Sequence, residues 1–278
     1  MMKSTRLIVC VMVLLLACAV SAEDDVTLSI NNTVASAFVS GTGINWVNGP
    51  VLMTDVGTTV TRGDNAFSFI YWQVLNLDNT IGYDNALSAE GQTTERDFIV
   101  DYTYSGHEAA DVSLGYIFYD FATAGSAASI PSGANTEDIY AGITLKNLPL
   151  SPKATVLYDI DGANEGVYGN FSCSHSLDVT EDHAVNLWAK AIWTGGDYGA
   201  AYFSHDGLKD DGFQSYGFGA STSLPLCESV SASIGVAYWA QVDSDGVLGK
   251  THAQWETLGV ESEDNTVVAS ASLNIMLK

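Results

Sequence analysis

Long runs of alternating residues, with no helical span between them, constrain this chain more than any other feature. Residues 96–105 set Phe98, Val100, Tyr102 and Tyr104 on one side and Asp97, Ile99, Asp101 and Thr103 on the other. The rhythm returns at 112–118, 139–145, 185–193, 216–220, 230–238 and 267–277. Successive side chains of a strand point to opposite faces, so each run has one apolar face and one small or polar face. Strands in soluble proteins usually run about 5–6 residues, whereas a tilted membrane-spanning strand needs about 9–11. The longer runs here fit the second figure. A soluble sandwich also alternates, but its inward faces are packed with large aliphatic groups. The second face of these runs is Gly, Ser, Thr, Asn and Asp, which suits a wet lumen.

The expected fold is therefore all-β: a transmembrane antiparallel up-and-down β-barrel of about twelve strands. They fall near 28–41, 50–61, 66–77, 95–106, 109–121, 136–146, 153–162, 166–178, 183–194, 211–224, 228–242 and 265–278. The links support this division. Outer-membrane barrels alternate short periplasmic turns with longer outer loops. Links 62–65, 107–108, 147–152, 179–182 and 225–227 are short, and 78–94, 122–135, 195–210 and 243–264 are long. On this reading the first and seventh links are short exceptions. With odd strands running outward, Phe118, Trp193, Phe213, Tyr216 and Tyr238 fall near one interface, and Phe67, Phe69 and Tyr104 near the other. Two such aromatic girdles are expected of a membrane barrel.

The amino terminus reads as an export signal over residues 1–22, followed by a barrel domain over 23–278. Lys3 and Arg6 precede an apolar stretch at 7–20, and Ser21-Ala22 supplies the small residues of a cleavage site. That stretch is too short for about 30 Å of hydrocarbon. A rival lipoprotein-type processing site would leave Cys18 as the lipidated residue. After removal of 1–22 only Cys173 and Cys227 remain, so no disulfide scaffold is expected.

Charge narrows the partners. There are 33 Asp and Glu against 10 Lys and Arg, a formal net charge of −23. Nucleic-acid binding needs clustered Lys and Arg, so that class is excluded. The expected partners are membrane lipid and small hydrophilic solutes, cations among them.

The stretch VASAFVSGTGINWVNGPVLMTDVGT at 34–58 resembles the opening of bacterial outer-membrane porins of the TorF-like kind. The stretches TEDIYAGITL and LSPKATVLYDIDGANEGVYGNFSCSHSL, within 136–177, resemble their central region. The resemblance implies a passive diffusion channel in the bacterial outer membrane.

No catalytic constellation stands out. His107-Glu108 lacks the second His of a metalloprotease motif, and no nucleophile elbow or phosphate-binding loop occurs. Ser172 and Ser174 fall on the strand face opposite His175, so they cannot form a pair with it. The run 159–166 resembles a calcium loop but breaks its spacing at Ala163, as a polar hairpin would. Asp243-Ser244-Asp245-Gly246 is similarly ambiguous. Arg62-Gly63-Asp64 reads more simply as a turn than as an adhesion motif. Neither an enzyme nor a cofactor is expected.

The informative charges lie on the polar strand faces. Asp97, Asp101, Asp111, Asp138, Asp159 and Asp161, with Lys146 and Lys190, are the candidate pore-lining residues. Carboxylates lining a narrow channel favour cations over anions. Two other readings stay open: a surface-display barrel with a blocked lumen, for which the inward Trp188, Trp239 and Tyr140 argue, and a secreted β-sandwich.

Overall fold

The computed structural model describes residues 24–40, 45–47, 49–78, 93–120, 135–161, 166–180, 183–202, 211–242 and 265–278. The expected signal segment with its Cys18 site, His205, His252, residues 243–246 and the centre of the acidic hairpin at 162–165 lie outside the described residues.

Twelve strands close into one antiparallel barrel, as the alternation predicts. They are β1 (Asp25–Ala35), β4 (Val51–Arg62), β5 (Asn65–Asn76), β6 (Thr93–Tyr104), β7 (Ala110–Asp120), β8 (Thr136–Leu145), β9 (Lys153–Asp159), β10 (Val167–Thr180), β11 (His183–Thr194), β12 (Gly212–Cys227), β13 (Val230–Gln241) and β14 (Asn265–Leu277). Each strand pairs with the barrel strand next to it in sequence, and β1 closes the ring against β14, with Leu28 opposite Leu277 and Val34 opposite Ala271. Closure satisfies the hydrogen-bonding groups that an open edge would leave bare in hydrocarbon.

The two faces separate as the sequence pattern requires. Outward positions include Leu114, Val156, Phe171, Phe218, Ile234, Val236 and Val267, all exposed. A contiguous apolar surface of this extent is foreign to a water-soluble monomer and is what lipid tails require. Tilted ring pairs thicken the belt: Phe67 against Tyr102 at 4.9 Å and Phe218 against Tyr238 at 5.2 Å between ring centroids. Inward positions along β12 to β14 are mostly small or polar, whereas Met53, Ile70, Trp72 and Ile99 bring larger apolar groups to the inner face of β4 to β6. Ser223, Ser233 and Ser272 stand opposite one another across β12, β13 and β14. Among the described residues no helix is long and apolar enough to cross a membrane.

At one end of the barrel the links 63–64, 105–109, 146–152, 181–182 and 228–229 are two to seven residues long; at the other, all but 160–166 are longer. In the first of these turns Gly63 has φ +55°, a left-handed conformation that glycine adopts without a Cβ penalty. Arg62 beside it is bound to Asp24 at 2.6 Å, so Arg62-Gly63-Asp64 is part of a hairpin.

The first link differs from the sequence expectation. Alternation carries the first strand to residue 41, but β1 stops at Ala35, and the link runs from 36 to 50. It is long after all, leaving 160–166 as the short exception at its end of the barrel. The reason is local: Ser36 pairs with Ala269 through its backbone N–H and its side-chain oxygen, and the chain then turns inward. Phe38 is buried with Ala35, Val51 and Val74, and its ring lies 5.5 Å from that of Trp72. Two short strands, β2 (Phe38–Val39) and β3 (Asn45–Val47), make this inward hairpin. A second link contributes the short helix α1 (Gly196–Tyr202), where Tyr198 packs on Tyr168 at 4.3 Å. Gly166 makes room for it: a Cβ there would lie 2.6 Å from the Tyr198 backbone nitrogen.

Candidate functional site

Register sets one level of the lumen. Asp55 on β4 stands opposite Trp72 on β5, Trp72 opposite Asp97 on β6, and Asp97 opposite Tyr119 on β7. On the neighbouring wall Asp138 of β8 stands opposite Asp159 of β9. Inward residues directly opposed across strands lie about 4.5–5.5 Å apart at Cβ, so this is a continuous band of side chains. It sits toward the long-link end, where β1 ends and β6 begins.

The band encloses a cavity of about 470 Å³. Five carboxyl groups line it: Asp55, Glu95, Asp97, Asp138 and Asp159. Aromatic rings supply much of the rest of its wall: Trp72, Tyr119 and Tyr168 from strands, Phe38 from the inward hairpin and Tyr198 from α1. No Lys, Arg or His lines it among the described residues.

The acids are held by neutral donors. Tyr168 donates its hydroxyl to Asp138 Oδ2 at 2.7 Å, and the Tyr119 hydroxyl lies 3.2 Å from that of Tyr168. Thr136 donates to Asp159 Oδ2 at 2.9 Å. Asn31 donates to Asp55 Oδ2 at 3.0 Å. Glu95 lies two residues before Asp97 on the same face of β6. Asp97 Oδ1 and Asp138 Oδ1 have no hydrogen-bond partner, although these residues are only 7% and 2% exposed. Burying a polar atom without a partner is costly, so these two oxygens set this level of the lumen apart.

The candidate residues read from sequence divide into groups. Asp97, Asp138 and Asp159 come together in the cavity. Asp101 lies nearer the barrel middle, where Tyr140 donates to its Oδ2 at 2.5 Å. Gly115 stands between them in the register, and a Cβ there would clash with the Tyr140 ring. Asp111 and Lys146 form an ion pair at 2.7 Å near the short-turn end. Lys146 also donates to the Ser105 carbonyl at 2.7 Å. Asp161 stands apart: β9 stops at Asp159, and Asp161 is exposed in the following turn, its N–H donating to Asp159 Oδ1 at 3.1 Å.

Lys190 is on the opposite wall, its Nζ 5.8 Å from the centroid of the Trp239 ring. The rings of Trp239 and Trp188 meet at 5.5 Å, tilted by 48°, and each covers a glycine of β12, Gly217 and Gly219 respectively. His175 stands opposite Leu187 and is exposed on the outer face, with Ser172 and Ser174 on the inner one.

Sequence reasoning missed Glu95, Asp55, Tyr119, Tyr168, Phe38 and Tyr198. Glu95 shares the parity of Asp97 and Asp101, and Asp55 that of Gly57, so extending the alternation finds both. The tyrosines gain meaning only from register, and Phe38 and Tyr198 lie in links where no periodicity speaks.

No protein-family model matches the chain, and no curated protein matches its sequence. Among solved structures, it is similar to an outer-membrane channel from Pseudomonas putida F1, with a TM-score of 0.50, 8% identity, and coverage of 93% of this chain and 97% of that one. It is also matched to the NanC porin at a TM-score of 0.47 and 11% identity, covering 90% of this chain and 99% of that one. At these identities the likeness is one of fold, and the fold is that of the outer-membrane β-barrels.

Proposed function

We propose that this protein is a non-enzymatic channel of the bacterial outer membrane that passes small hydrophilic solutes by diffusion and prefers cations. The observation that carries this reading is the band of five carboxyl groups, in a cavity that no described base lines, at a level that Phe38 and Tyr198 narrow. Membership of the TorF-like porins, drawn from the stretches at 34–58 and 136–177, belongs to the same proposal. Barrels of about 8 strands are filled by side chains and those of 16–18 hold an open pore, so twelve strands leave a narrow passage. In such a passage the field of fixed carboxylates attracts cations and raises a barrier to anions. Selection is by size and charge, with no covalent step.

The test is conductance in planar bilayers under a salt gradient. The expected result is discrete channels with a reversal potential on the cation side, moved toward zero in the Asp97→Asn, Asp138→Asn double variant. Anion selectivity, or a reversal potential unmoved by the double substitution, contradicts the carboxylate mechanism.

A blocked-lumen scaffold is the second reading, favoured by the Trp188–Trp239 pair that occupies part of the interior. It predicts no conductance above background, and none in a Trp188→Ala variant that refolds normally.

A further inference from the structure

The cavity has a composition that diffusion alone does not require. A cation-preferring pore needs carboxylates beside a water-filled path, yet here they are combined with a wall of aromatic rings and with apolar side chains. Met53, Ile70 and Ile99 complete the apolar part. A volume of about 470 Å³ falls in the range of small-molecule pockets, roughly 300–1,000 Å³, and far exceeds what a bare ion occupies. Among the described residues no group of three or more Asp, Glu, His or Cys is arranged to hold a metal ion. What the walls offer is acceptors without charged donors, next to ring faces.

Two atoms sharpen the complement. Asp97 Oδ1 and Asp138 Oδ1 belong to residues of the cavity wall, are buried, and lack any hydrogen-bond partner. Of the remaining acids, Asp159 accepts from Thr136 and Asp55 from Asn31. A primary ammonium carries three N–H donors and one positive charge, and no acceptor. It satisfies unpartnered carboxylate oxygens, offsets their charge and gains from aromatic faces within about 6 Å. Its alkyl stem fits the aliphatic and aromatic remainder. A sugar alcohol or neutral polyol would bring hydroxyls but leave the carboxylates without a counter-charge, which is expensive in a buried site.

We infer that the cavity between Asp97, Asp138 and the Phe38–Trp72–Tyr198 wall is a binding subsite for a small organic cation bearing a primary ammonium group. The inference deepens the channel reading and relies on it for the route by which the solute arrives. The organic cation rests there during passage, its ammonium on Asp97 and Asp138 and its stem against the rings.

The test is calorimetric titration of the refolded full chain in detergent with 1,5-diaminopentane, set beside 1,5-pentanediol and magnesium chloride. Saturable binding of the diamine is expected, with no binding of the diol and no displacement by magnesium at equal concentration. The Asp97→Asn, Asp138→Asn variant weakens binding by about tenfold or more, whereas Glu108→Gln in the turn at the far end leaves it unchanged. Heat-modifiable gel mobility identifies variants that have refolded. If the double variant fails to fold, Trp72→Leu serves in its place and also weakens binding. Equal binding of the diol, displacement by magnesium, unchanged affinity in the variants, or no diamine binding overturns the assignment. Conductance is recorded separately. Channels that conduct without binding the diamine overturn the subsite alone. Diamine binding by a barrel that conducts nothing supports the subsite and overturns the channel reading.

Discussion

Val236→Arg is expected to cost about 2–4 kcal/mol of folding free energy in lipid vesicles, the range for a base on the lipid face near the bilayer midplane. Val236 lies midway along β13 and is exposed. Two positions before it, Ile234 is 64% exposed and equally apolar. In a soluble protein an arginine at such a site would be nearly neutral, because an exposed position costs little to charge. In hydrocarbon the guanidinium must be desolvated or drag water inward. The internal control is Ser233→Arg on the other face of the same strand. Ser233 stands opposite Ser223 on β12 and Ser272 on β14, so a long side chain meets small neighbours and water. That variant should lie within about 0.5 kcal/mol of the parent, the range of ordinary surface changes. Urea titration of vesicle-refolded protein, read by heat-modifiable mobility, gives both numbers. Equal costs at the two sites contradict the lipid-outside arrangement.

The second large effect is expected at the constriction. Phe38 and Tyr198 enter the lumen from two different links, and both rings line the acidic cavity. In a twelve-stranded barrel two such rings take up a substantial share of the interior. Replacing both with serine should raise single-channel conductance severalfold and admit solutes that the parent excludes, as read by liposome swelling with sugars of increasing size. Cation preference should persist, because Asp97 and Asp138 remain in place. This separates the variant from the Asp97→Asn, Asp138→Asn pair, in which selectivity falls while conductance changes less. A double-serine channel with the parent's conductance and size limit contradicts the assignment of these rings as the narrowest point. Phe38 also packs on Val51 and Val74, so a fall in thermal stability accompanies the gain.

The barrel was legible in the sequence because a membrane strand is a local object. Its length is set by bilayer thickness and its two faces by lipid and water, so the alternation over 96–105 or 267–277 carries the whole signal. The site was legible only in part. Asp97, Asp138 and Asp159 follow from parity, because the inward face of a strand is known once its outward face is. Tyr168 reaches Asp138 across β9, and Tyr140 reaches Asp101 across Gly115; those meetings depend on a register that single strands do not encode. The links were the least legible. Alternation at 34–39 looks like more strand, yet Ser36 bonds to Ala269 and Phe38 turns into the lumen. That outcome is decided by the shape of a cavity built by strands far away in sequence. Helix α1 has the same origin: nothing in Gly196–Tyr202 separates it from ordinary loop sequence, and it is placed by Tyr198 packing on Tyr168 beside Gly166.

Odd and even residues of each strand see different solvents, and a nitroxide scan along β13 tests this most directly. Single cysteines at positions 231 to 238, on a background with the native cysteines replaced by serine, are spin-labelled and refolded into vesicles. Collision with dissolved oxygen reports lipid, and collision with a water-soluble nickel chelate reports water. Oxygen accessibility should peak at 232, 234, 236 and 238, and chelate accessibility at 231, 233, 235 and 237, with a period of two throughout. A scan in which neither set meets oxygen, or in which the odd positions are closed to the chelate, would contradict a lipid-facing barrel around a wet interior.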